Sequence, residues 1–92
     1  MTDDEFRDRL LMAILIDDKK QRQDALHPFP LVDVYDVKEK AKLPGTKERA
    51  LEAVKVLARD EMVKPLYQTA GVYVQVTEQG REQKPRYVGL GP

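Results

Sequence analysis

The sequence predicts an α+β fold, and three observations carry that expectation. Apolar residues recur at helical spacing over the first 16 residues and again between Thr46 and Asp60, the period changes from 3.6 to 2 beyond Met62, and Pro and Gly at 28–30, 44–45 and 71 punctuate the chain. With 92 residues the chain has the size of one domain.

Thr2 followed by Glu5 makes a capping-box pattern, so a first helix is expected to start near Asp3. Phe6, Leu10, Ala13 and Ile14 share one side of it, while Leu11, Met12, Leu15 and Ile16 spread over the rest, which predicts a helix that buries two faces. Asp17 to Ala25 is polar but holds no Gly or Pro and could extend the helix until His27-Pro-Phe-Pro30 breaks it. Leu31, Val32 and Val34 read as a short extended piece. Asp36 with Glu39 repeats the cap pattern, and Val37 and Ala41 predict a second helix of about two turns, ended by Leu43-Pro44-Gly45. Thr46 is a good N-cap for a third helix whose Ala50, Leu51, Val54, Leu57 and Ala58 project onto one face. Lys64 to Thr69 and Val72 to Thr77 read as two strands of a hairpin turned at Ala70-Gly71. Glu78 to Gln83 is a polar stretch around Gly80, and residues 84–92 are expected to be an extended or disordered tail after a single domain over 1–83.

Composition narrows the function. The longest unbroken apolar run, Leu10 to Ile16, is far short of the roughly 20 residues of a spanning helix, so no membrane partner is expected. Without cysteine there is no disulfide and no thiol metal cluster, and Asp3, Asp4 and Glu5 stand where a secretory signal carries basic residues; both point to the cytoplasm. Sixteen basic residues balance sixteen acidic ones, yet residues 1–18 hold six acids against two arginines, a net −4, which leaves +4 for the remainder. His27 is the sole histidine and stands beside a proline, the paired carboxylates have no base partner, and there is no Gly-rich phosphate loop. No catalytic, cofactor or metal site is expected.

Two segments carry a resemblance. Leu57-Ala-Arg-Asp-Glu-Met-Val-Lys64 looks like the exit from a recognition helix into a wing, and Tyr73-Val-Gln-Val-Thr-Glu-Gln-Gly-Arg81 looks like a closing wing strand. Together with the element order, Leu31 to Glu82 resembles a winged helix-turn-helix domain of the kind found in MarR-like and PadR-like bacterial regulators, with a three-helix core and a two- to three-stranded hairpin wing. Glu61 departs from it, since such domains usually place Gly there, and so does the long connection from Asp17 to Pro30.

The resemblance implies duplex DNA as the partner and transcriptional regulation as the role, with the helix from Thr46 to Asp60 in the major groove. Its outward face would carry Glu48, Arg49, Glu52, Lys55, Val56 and Arg59, with Lys47 near its start. Arg49 is the leading base reader because a guanidinium donates twice to guanine; Thr46 and Lys47 sit where a helix N-terminus attracts phosphate, and Glu52 could accept from cytosine N4. Lys38, Lys40 and Lys42 could add a phosphate-contacting edge. The acids on the same helix and the uncharged tip Thr69-Ala70-Gly71 fit a rival reading, a winged-helix module that binds protein and not DNA. The apolar circumference of the first helix predicts a homodimer through Leu11, Met12, Leu15 and Ile16.

Overall fold

A computed structural model describes residues 1–25 and 29–82, so His27 and the tail from 84 onward lie outside the described residues. The element order is α1 (Asp3–Ala25), β1 (Leu31–Asp33), α2 (Val34–Lys40), α3 (Lys47–Arg59), β2 (Val63–Gln68), β3 (Gly71–Val76) and α4 (Glu78–Glu82). The three strands form one antiparallel sheet in the order β1-β3-β2, with Val32 opposite Val74 and Pro65 opposite Val74 from the other side. The α+β class is as the sequence predicts.

The core lies between the helices and the inner face of this sheet. Phe6, Leu10 and Ile14 of α1, Val37 of α2 and Ala50, Val54 and Leu57 of α3 meet Val32, Val63, Val72, Val74 and Val76. Alternation along β3 puts its three valines inward and Tyr73 and Gln75 outward. On α3 the buried face is Ala50, Ala53, Val54 and Leu57, so the stripe is rotated slightly from the predicted one and Leu51 is only partly buried.

The N-terminus of α1 is capped as expected, the Glu5 N–H donating to Thr2 Oγ1 at 3.1 Å. The helix then runs on through the polar segment to Ala25, because tertiary bonds hold it there. Buried Asp18 accepts from Arg22 Nε at 3.0 Å and from Arg81 Nε and Nη2 of α4, each at 3.1 Å. Gln21 Nε2 donates to the Leu31 carbonyl at 2.9 Å. Helix α1 also packs on α3, α2, β1 and β3, so a single chain covers more than one of its faces. This corrects the basis of the predicted dimer surface. Leu11 is 4% exposed and belongs to the core, Leu15 packs against the core, Met12 is half-buried, and only Ile16, 64% exposed, stands clear.

Both helices of the central pair end in the same way. The Lys42 N–H donates to the Glu39 carbonyl and the Leu43 N–H to that of Lys38; likewise Glu61 donates to Ala58 and Met62 to Leu57. Each is a Schellman ending, which requires a left-handed residue one place beyond the cap. Lys42 at φ 55° and Glu61 at φ 63° fill that position. Glu61 is therefore a strained substitute at the place where the resembled domains carry Gly. The predicted stop at Leu43-Pro44-Gly45 falls slightly late, the helix proper closing at Lys40. Gly45 is needed for its backbone, since φ 95° is a conformation that residues with a Cβ rarely adopt.

Candidate nucleic-acid interface

Helix α3 owes its position to a capped start and an apolar stripe. Thr46 Oγ1 accepts from the Arg49 N–H at 3.4 Å, and the stripe seats the helix on the core. Lys47, Glu48, Glu52, Lys55 and Arg59 are left exposed, and Val56 is half-buried. The residues nominated from the sequence therefore separate into three groups.

Lys42, Thr46, Lys47, Glu52, Lys55 and Arg59 are exposed and lie on α3 or on the turn that leads into it. Lys47 Nζ rests 5.3 Å from the Tyr35 ring centroid, Lys55 pairs with Glu52 at 3.2 Å, and Arg59 lies 3.8 Å from Asp60. These are surface pairs of the kind that contribute little and can be exchanged for a phosphate. Lys40 is exposed as well, but its hydrogen bond to Asp36 at 2.9 Å, followed by that carboxylate's charge, raises its pKa above the usual lysine value.

Lys38 does not belong to the surface. It is 5% exposed, and its ammonium donates to the Leu43 carbonyl at 3.2 Å, holding the α2–α3 turn together from inside. Its place in a phosphate-contacting edge is withdrawn.

Arg49 is also committed within the chain. Its Nη2 donates to the Met1 carbonyl at 2.8 Å and to Asp3 at 3.3 Å, and its guanidinium lies 4.6 Å from the Phe6 ring centroid. The residue expected to lead base reading is thus folded back onto α1. Sequence reasoning missed Asp3, which shares a groove of about 440 Å³ with Phe6, Arg7, Glu48, Arg49, Glu52, Ala53 and Val56. The signal for it was the −4 charge of the first 18 residues, whose spatial neighbour the sequence does not identify.

No family model, no curated protein and no solved structure matches the chain. Among the described residues no group of three or more His, Asp or Glu gathers to hold a metal ion, and no helix is long and apolar enough to cross a membrane.

Electrostatically the face is graded. The α2–α3 turn and the start of α3 carry Lys42 and Lys47, whereas the side of α3 next to α1 carries Glu48 and Glu52 beside Asp3, with Arg7 and Arg49 among them. Such an arrangement can take a phosphate backbone at the turn, while the mixed charges at the α1 edge offer it little. The wing tip at Thr69 and Ala70 brings no charge to either.

Proposed function

We propose that the chain is a cytoplasmic winged helix-turn-helix domain that binds duplex DNA, with α3 as the helix presented to the major groove and regulation of transcription as the role. One observation carries the reading: α3 stands on the core by its apolar stripe with Lys47, Lys55 and Arg59 turned outward, directly after a turn that displays Lys42. The order helix, strand, helix, turn, helix, hairpin, with β1 paired to the returning strand of the hairpin, supports the same reading. In this scheme Lys42, Lys47 and Lys55 hold phosphates, and base reading falls to Arg59 instead of Arg49. The test is an anisotropy titration with mixed-sequence duplex DNA at low and moderate salt. Binding that weakens steeply as salt rises is expected, and no binding at low salt overturns the proposal.

A second reading, a winged-helix module that binds protein, is favoured by one feature. Arg49 is spent on Asp3 and the Met1 carbonyl, and acids occupy the α1 side of α3. A chain that ignores DNA at all salt concentrations would belong to that class.

A further inference from the structure

Most of the large apolar side chains left in solvent belong to the sheet or its approach: Phe29, Leu31, Leu66 and Tyr67, beside Met1 and Ile16 elsewhere among the described residues. Register and burial define the outer face. One row across the strands is Leu31, Gln75 and Lys64, and the next is Asp33, Tyr73 and Leu66. Directly opposed residues share a face, and the inward valines occupy the alternate positions. The four corners are therefore Leu31 and Leu66 on one diagonal, Lys64 and Asp33 on the other. Leu31 is 47% and Leu66 42% exposed, and Lys64 is exposed too.

We propose that this outer face is the contact surface for a second copy of the chain, the two sheets packing face to face about a twofold axis along the Leu31–Leu66 diagonal. The corners decide the axis. With strands about 4.8 Å apart and a rise of about 3.4 Å per residue, they outline a rectangle of roughly 10 by 7 Å. A twofold axis on the leucine diagonal sets each leucine against its own counterpart. It also brings Lys64 to within about 4 Å, measured in the plane of the sheet, of the partner's Asp33, twice per dimer. The strands then cross at roughly 70°, close to the orthogonal class of sheet packing. The other diagonal opposes lysine to lysine and aspartate to aspartate, and an axis along or across the strands sets every charge against a leucine. Only one arrangement satisfies all four corners. Asp33 keeps an oxygen for the contact, because the α2 cap uses Oδ1.

The face is small. Three strands of up to six residues span roughly 300 Å², less than the ~800 Å² per partner of a standard stable interface, so the dimer is weak and reversible. The inference is independent of DNA binding and is tested without DNA. Sedimentation equilibrium of the full chain from about 10 to 500 micromolar should show a monomer–dimer equilibrium. Leu66→Glu should raise the dissociation constant about a hundredfold by burying an unpaired charge, and Lys64→Glu about tenfold by facing it with the partner's Asp33; far-UV circular dichroism should stay unchanged in both. Ile16→Glu should leave the equilibrium where it is. A parent that stays monomeric at the highest concentration overturns the proposal. So does a dimer that Ile16→Glu dissociates while Leu66→Glu and Lys64→Glu do not.

Discussion

Replacing Asp18 by Ala should destabilise the domain by about 2–3 kcal/mol. The side chain is 1% exposed and accepts three charge-assisted hydrogen bonds, one from Arg22 on its own helix and two from Arg81 on α4. Breaking a fully buried ion pair costs about 3–5 kcal/mol, because the surviving charge is left without solvent. Here the survivors are guanidinia that are 36% and 22% exposed and can recover water, which lowers the figure. Urea unfolding followed by circular dichroism reads the change as a shift in midpoint of about 2 M at unchanged slope. A double-mutant cycle locates the energy: coupling of Asp18 to Arg81, two bonds across 63 residues, should exceed its coupling to Arg22, one bond within a helix. A loss below about 0.5 kcal/mol, the scale of an ordinary surface substitution, would refute the reasoning. A larger coupling to Arg22 than to Arg81 would do the same.

Glu61→Gly should raise stability by about 0.5–1 kcal/mol, since relief of a left-handed non-glycine residue outweighs the added freedom of the unfolded chain; an unchanged urea midpoint would show that the α3 ending holds no strain. Leu57→Ala should cost about 3 kcal/mol and the half-buried Leu51→Ala about 1 kcal/mol, an ordering that thermal melts can reverse if α3 is turned differently. Gly80→Ala should cost about 1–3 kcal/mol, because a Cβ there would run into the Met62 carbonyl; a melt like the parent's would mean that α4 sits elsewhere. Under the DNA proposal, Lys47→Ala and Lys55→Ala should each flatten the slope of log affinity against log salt by about 0.9, with melting unchanged, and an unaltered slope in both would remove α3 from the contact.

The elements read from the sequence are those whose causes are local. Helix α3 has its cap, stripe and stop between Thr46 and Glu61, and the hairpin announces itself by alternating valines. The cap pattern at Asp36 puts the second helix three residues late, because Asp33 supplies the capping oxygen; both precede an acceptable helical run, and only the pairing of β1 with β3 fixes where the strand ends. Helix α4 has no apolar period at all. It forms because Thr77 Oγ1 accepts from the Gly80 N–H while its hydroxyl donates to the Glu61 carbonyl, and because Arg81 reaches Asp18. The candidate interface was harder still. Whether Lys38 or Arg49 faces solvent depends on Leu43, Asp3 and Phe6, contacts that no spacing along the chain encodes.

The Asp18–Arg81 clamp also sets a timetable for synthesis. The ribosome delivers α1 first, yet Asp18 must wait for a partner 63 residues later before its carboxylate is fully satisfied. The apolar side of α1 waits as well, since α2 and α3, which cover most of it, follow it in the chain. The nascent chain thus carries Leu10, Leu11 and Ile14 uncovered until α2 and α3 have emerged, a window in which a holding chaperone would find its binding segment. A ribosome stalled before Gly80 would hold a molecule whose longest helix still lacks its tie to α4.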